Sequence, residues 1–352
     1  MTPSVLIAIH PDRKVPSGSP GKLGWGDSVL ELKAGEQVSG TVEVKVLEDV
    51  EFDSFRIGFL WHTEGRGNRA TGHGGHTLLK SEGEWRAGDH MSFPFSVCAP
   101  KGPLSYKGKL VNVVWELEGR VCRSMLYSDV RECIPVSLDA DPESAEHDLG
   151  PTLPTAAAME AVKRGLGGAW FTLGVILLLG SVVFGVLRNW DFLSWERGAL
   201  VLTIAGGLLL TLKGMWGRLG RGKLGEPAIQ LSTTELRRGE EILFSLVLRP
   251  EQRTELRSLD VVLECEERVV RGHGQYRSHR RKTVVSKTIS LSKDHVVEPH
   301  RGLRKRGAIS IPEDGPISFG APDNQVVWWL HFRADIVGWP DWNEPHLLTV
   351  RP

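Results

Sequence analysis

The chain has 352 residues, with 43 Lys and Arg against 43 Asp and Glu, 40 Gly, 20 Pro and four Cys. Such a length suggests about two domains. Four cysteines exclude a disulfide-stapled scaffold, a charged fraction of 24% excludes wholesale disorder, and the neutral total argues against a dedicated nucleic-acid binder.

In chain order, the N-terminus MTPSVLIAIHPDRK lacks the charged start and long apolar core of a signal peptide. Residues 1–150 hold 16 basic and 22 acidic residues. Alternation at Val42–Val46 and Val113–Leu117, punctuated by Gly and Pro, predicts a β-sandwich over residues 1–137. Gly65-Arg66-Gly67 and Gly72-His73-Gly74-Gly75-His76 read as flexible loops between strands, unable to offer helix N-terminal amides to a phosphate. His62, His73, His76 and His90 raise the question of a zinc site. His73 and His76 have no Cys or carboxylate at ligand spacing, so no metal is expected and they read as solvated. Residues 138–164 are acidic, then Pro- and Ala-rich, and predict a linker with a short helix around Ala156–Lys163.

The segment 165–216 predicts a transmembrane helical hairpin. Gly165–Leu187 contains no charge and is long enough to cross a hydrocarbon core of about 30 Å. A second apolar stretch begins at Gly198 and is extended past Lys213 to Trp216. Trp170, Trp190, Trp195 and Trp216 fit an interfacial belt. Lys163, Arg164, Lys213, Arg218, Arg221 and Lys223 flank the spans, against Arg188 and Arg197 in the loop. That bias places both termini in the cytoplasm of an integral inner- or plasma-membrane protein, where Cys98, Cys122, Cys133 and Cys265 stay reduced.

Residues 226–352 predict a second β-sandwich, and the two halves resemble each other. Glu31-Leu32-Lys33-Ala34-Gly35-Glu36 matches Glu235-Leu236-Arg237-Arg238-Gly239-Glu240, an offset of 204. Gly102-Pro103-Leu104-Ser105-Tyr106 matches Gly315-Pro316-Ile317-Ser318-Phe319, and Trp115 and Trp328 follow ten residues after each Ser, an offset of 213. Nine extra residues therefore lie between these points in the second half. Ser105 and Ser318 read as turn hydroxyls bonding their own backbone rather than as nucleophiles. Trp115 and Trp328 read as core, while Trp329 must face the other way.

The stretches Phe93–Pro100, Pro103–Gly108 and Val113–Leu117, with Gly35-Glu36-Gln37-Val38-Ser39-Gly40-Thr41-Val42 before them, resemble the arrestin-like N-terminal domain. The resemblance covers residues 28–137 well and 228–350 more loosely. It implies a mainly β fold of two arrestin-like, immunoglobulin-type sandwiches, here joined by the membrane hairpin, and lobes that bind partners through sheet edges and loops.

No P-loop, G-x-S-x-G, H-E-x-x-H or dinucleotide-binding fingerprint is present, so neither catalysis nor a cofactor is expected. The strongest remaining feature is a basic run: Arg268, Arg271, Arg277, Arg280, Arg281 and Lys282, followed by Arg301, Arg304, Lys305 and Arg306. Such a face suits anionic lipid headgroups or acidic protein segments, and a solvated charged loop is the plain alternative. The function expected is a membrane-anchored, non-enzymatic adaptor or scaffold displaying two cytoplasmic lobes to protein partners, acidic or membrane-bound, with the lipid bilayer as a further partner and no nucleic acid. The alternative is an accessory or regulatory subunit of a membrane transporter or enzyme complex.

Overall fold

A computed structural model describes residues 4–12, 29–124, 127–141, 147–154, 172–184 and 194–352. The first lobe contains β1 (Val5–Pro11), β2 (Leu30–Lys33), β3 (Gln37–Val46), β4 (Val50–Gly65), β5 (Thr71–Trp85), β6 (His90–Cys98), β7 (Tyr106–Lys107), β8 (Val111–Cys122) and β9 (Val130–Asp139). They form a three-stranded sheet β1-β3-β6 and a larger one, β2-β9-β8-β4-β5, with β7 on β8. The second lobe contains β10 (Ala228–Leu231), β11 (Glu235–Arg237), β12 (Glu241–Leu248), β13 (Thr254–Arg271), β14 (Ser278–Val297), β15 (Leu303–Ser310), β16 (Phe319–Ala321), β17 (Asn324–Ile336) and β18 (Trp342–Arg351). Their order is β10-β12-β15 and β11-β18-β17-β13-β14, with β16 on β17. The protein is mainly β, built as two sandwich-like sheet pairs of one topology. Even the single parallel pair recurs, β2 with β9 and β11 with β18.

The repeat extends to individual hydrogen bonds. The Lys33 amide donates to Glu36 Oε2 at 2.8 Å and the Arg237 amide to Glu240 Oε2 at 2.7 Å. Between them Gly35 and Gly239 take φ of 81° and 80°, a left-handed turn that favours glycine. Trp115 and Trp328 are fully buried and donate Nε1–H to the carbonyls of Pro103 and Pro316 at 2.6 and 2.8 Å. The two serines differ from expectation. Ser105 Oγ accepts the Leu138 amide of β9 and Ser318 Oγ accepts the Val350 amide of β18, each at 2.9 Å. Each hydroxyl ties the turn to the last strand of its lobe rather than to its own backbone.

Core positions follow the period of two. In β3, Val38, Val42, Val44 and Val46 point inward, and exposed residues alternate with them. Phe52, Phe55, Trp85 and Phe93 stack with centroids 4.2–6.2 Å apart. Each buried large apolar side chain of this kind stabilises by about 1.5–3 kcal/mol. Trp329 faces away from this core, as expected, into a small cluster with Val327 and Leu347.

Two sequence expectations are overturned here. Residues 72–76 form part of β5, not a loop. Their glycines serve packing: a Cβ on Gly72 would sit 2.4 Å from Trp61 Nε1, and one on Gly74 would sit 2.9 Å from the Trp115 ring. The transmembrane hairpin is also overturned, because among the described residues no helix is long and apolar enough to cross a membrane. Helix α1 is described over residues 172–184. Helix α2 (Ser194–Lys223) is 30 residues long, but only Gly198–Leu212 within it is uncharged, between Arg197 and Lys213. Fifteen residues reach only about 22 Å. Assignment as an integral membrane protein with both termini cytoplasmic falls with the hairpin. The short helix at 156–163, the ends of the first expected span, Trp170 and Trp190 lie outside the described residues.

Candidate interaction surface

The lobes meet along a polar seam. Glu267 of β13 is fully buried. Its carboxylate accepts the Tyr106 hydroxyl at 2.7 Å and the Lys109 amide at 2.9 Å, with the Leu110 amide also donating, all from the first lobe. Burial, reinforced by Glu267, pushes the Tyr106 phenol up, which keeps its proton in place to donate. Gly108 makes this approach possible, since a Cβ there would lie 2.3 Å from Glu267 Oε1 and 2.6 Å from the Val111 carbonyl. The equivalent of Tyr106 in the second lobe is Phe319, and it crosses the seam in the opposite sense to meet Trp61 edge-on at 6.1 Å.

A second knot surrounds Asn68. Its side chain accepts the Gly272 amide at 2.9 Å and donates to the Gly272 carbonyl at 3.1 Å and Asp323 Oδ2 at 2.8 Å. Its carbonyl accepts from Asn324 Nδ2 at 2.6 Å. The Asn68 hydrogen bond, aided by Arg277 at 2.8 Å, holds the Asp323 carboxyl below the usual carboxylate range against the opposing effect of burial. Part of the expected linker is docked as well: the Gly320 amide donates to Leu149 O at 2.8 Å, and the Thr152 amide to Gly320 O at 3.0 Å. The seam residues carry no motif. The one hint in the sequence is that the repeat places Tyr against Phe at positions 106 and 319.

The nine extra residues of the second half can be located. Val50 pairs with Trp85, 35 positions on, while Thr254 pairs with Val297, 43 positions on. Eight of the nine therefore lengthen the β13–β14 hairpin: β13 exceeds β4 by two residues, β14 exceeds β5 by five, and the turn between them is one residue longer. The first basic group sits on this extension. Arg268 and Arg271 lie on β13, Arg277 just before β14, and Arg280, Arg281 and Lys282 on β14, where residues 278–283 are all exposed. A cavity of about 600 Å³ at this end is lined by Arg268, Val269, Val270, His279, Arg280, Arg281, Asp323 and Gln325. Two cations of this basic group are neutralised, Arg268 by Glu266 at 2.6 Å and Arg277 by Asp323. Arg280, Arg281 and Lys282 form no ion pair among the described residues, and Arg281 lies directly opposite Arg268, a like-charge pairing that costs stability.

The second basic group stands apart. Arg301 lies in the turn after β14, and Arg304, Lys305 and Arg306 lie on β15, the edge of the smaller sheet. Lys287 Nζ reaches Ser310 Oγ at 2.8 Å, which sets the end of β15 level with the middle of β14. Arg304–Arg306 lie toward the turn and Arg280–Lys282 toward the tip, so the groups are on the order of 30 Å apart along the strands. The basic run is two surfaces, not one face.

Of the histidines, His62 is buried and its Nε2 lies 3.1 Å from Glu64. His73 and His76 line a 240 Å³ cavity with Arg56 and Glu118, and His90 is exposed at the start of β6.

No protein family's sequence profile matches the chain, and no curated protein matches it. Among solved structures, part of the chain is similar to Spo0M, a sporulation control protein from Bacillus subtilis, at 17% identity and a TM-score of 0.30. The match covers 36% of this chain and 49% of that one. A likeness that slight carries no argument; the two-sandwich architecture stands on this chain's own strand order.

Proposed function

We propose that the protein is a non-enzymatic, arrestin-like adaptor that uses no cofactor and presents two coupled β-sandwich lobes to protein partners. The observation that carries this reading is the interlobe seam. Glu267 and Asn68 lock the lobes into one frame by hydrogen bonds between groups 157–256 positions apart, while the long strand β14 is left at a sheet edge with one neighbour. A rigid frame with an open edge is what strand-addition binding needs. The test is affinity capture of the tagged full chain from its native cell extract, repeated with a variant in which Glu267 is replaced by Ala. A stable protein partner that is lost when the seam is broken supports the reading. Recovery of the chain alone counts against it.

A second reading, an accessory subunit of a larger assembly, is favoured by the helical pair. Helices α1 and α2 contact through Ser181 and Thr203, 3.2 Å apart, yet Ile176, Leu179, Val201, Leu202 and Leu209 are 59–74% exposed. Apolar surface of this extent commonly marks an interaction site. Replacing the helical pair with an unrelated one would abolish function on this reading and spare it on the first.

A further inference from the structure

We propose that the edge of β14 takes an acidic extended polypeptide as an added strand; this deepens the adaptor reading and rests on it. The strand is 20 residues long, lies at the end of its sheet and, among the described residues, pairs only with β13. A free edge presents a row of unpaired backbone donors and acceptors, a template for another chain. From Ser278 to Lys293 it carries Arg280, Arg281, Lys282, Lys287 and Lys293 and no acidic residue. Lysine and arginine on an edge also discourage casual pairing, so the edge selects by charge: basic strands are repelled, neutral ones gain nothing against the cost of desolvating these side chains, and acidic ones are drawn in.

Three further observations favour a polypeptide over a lipid surface. Arg280 pairs with Val269 and Arg281 with Arg268, so their side chains leave opposite faces of the sheet. A plane of headgroups meets one face at a time, whereas a strand laid along the edge presents alternate side chains to both. The lengthening of the second lobe is also spent on this hairpin, which carries the edge past its counterpart β5. Finally, the 600 Å³ cavity at the tip, where Arg280 and Arg281 have no ion pair among the described residues and outnumber the lining Asp323, is a seat for a carboxylate side chain at the end of the incoming strand.

The test uses the full chain and a fluorescent 12-residue probe of alternating Glu and Val or Thr. Expected results are saturable binding by anisotropy, at least about tenfold weaker in the R280E/R281E double variant and unchanged in R304E/K305E on the distant basic group. A probe N-methylated at alternate residues keeps its charges but cannot form the ladder, and should not bind. Equal binding of the N-methylated probe would reduce the site to simple charge attraction and overturn the inference. So would indifference to R280E/R281E, or phosphatidylserine vesicles co-sedimenting with the chain through Arg280 and Arg281. The replaced arginines are exposed, and an unchanged melting temperature confirms that the variants fold. Absence of probe binding overturns the β14 inference alone, since partner capture tests the adaptor reading independently.

Discussion

Asn68 and Gly272 are 204 positions apart, the offset of the repeat in this region, and they hydrogen-bond each other twice. Equivalent positions of two like lobes meet each other only near a two-fold axis, as in the self-complementary interface of a dimer. The lobes are thus joined as a symmetric dimer would be, although they belong to one chain. Replacing Asn68 by Ala removes both bonds to Gly272 and the bond to Asp323, leaving partly buried groups unsatisfied at a cost of about 1–3 kcal/mol. Asn68→Asp should cost more, because it brings a second carboxylate against Asp323. Urea denaturation of both variants checks the order.

Glu267 sets a larger effect. Glu267→Ala leaves the amides of Lys109 and Leu110 and the Tyr106 hydroxyl without their acceptor, and each buried donor orphaned in this way costs about 1–3 kcal/mol. Tyr106→Phe removes one hydrogen bond to a charged group, about 1.5–3 kcal/mol. Gly108→Ala places a methyl against the Glu267 carboxylate and the Val111 carbonyl and should behave like the loss of Tyr106. A double-mutant cycle between positions 106 and 267 should return a coupling above about 0.5 kcal/mol; strict additivity would show that the seam does not act as a unit.

Acid should loosen the seam. Asn68, supported by Arg277, holds the folded-state pKa of Asp323 below the ordinary carboxylate value despite burial. The ionised carboxylate therefore contributes stability that is complete above the unfolded pKa of about 3.9 and is lost as pH falls through the folded value. Between about pH 5 and that lower value the wild type should lose more stability than Asp323→Asn, as measured by thermal melts across the range. Parallel curves for the two proteins would remove Asp323 from the account.

What the sequence made legible was local. Lys33 with Glu36 and Arg237 with Glu240 bond across three positions, and Trp115 and Trp328 reach prolines twelve positions back, so the repeat appeared as short motifs. Glu267 was invisible because its donors are 157–161 positions away, and no spacing rule reaches that far. The glycines at 72 and 74 misled because glycine signals a loop and a close approach equally well, and only the positions of Trp61 and Trp115 decide between them. The second helix misled because apolar composition is not the same as apolar length: Lys213 ends a stretch that composition alone would extend. The basic run, one feature in sequence, divides in space because β14 carries one part along one sheet and β15 carries the other along the second.

Thiol reactivity offers a check on the sandwich interiors. Cys98 is exposed on β6, whereas Cys265 is fully buried and burial pushes its pKa up. The Cys133 thiol is pushed up to about 12 by burial and by Glu116 and Glu118 nearby. Because the thiolate is the reactive form, a maleimide at pH 8 should modify Cys98 first, Cys133 slowly and Cys265 only on unfolding. Mass spectrometry of timed digests gives the order, and early labelling of Cys265 would contradict the packing of β13 against β17.

The two repeated serines give the most discriminating comparison of the lobes. Ser318 is 1% exposed and its hydroxyl accepts the Val350 amide, while the Ser318 amide donates to the Val350 carbonyl. Ser105 makes the same pair of bonds with Leu138 but is only half-buried. Removing either hydroxyl by Ala substitution orphans one strand amide. At position 318 that amide is cut off from water and should carry the desolvation penalty, about 1–3 kcal/mol, whereas near position 105 water can replace the lost acceptor and leave a cost of about 0.5–1.5 kcal/mol. Matched denaturation curves test this structural role: Ser318→Ala must fall further than Ser105→Ala, and both must fall below the parent.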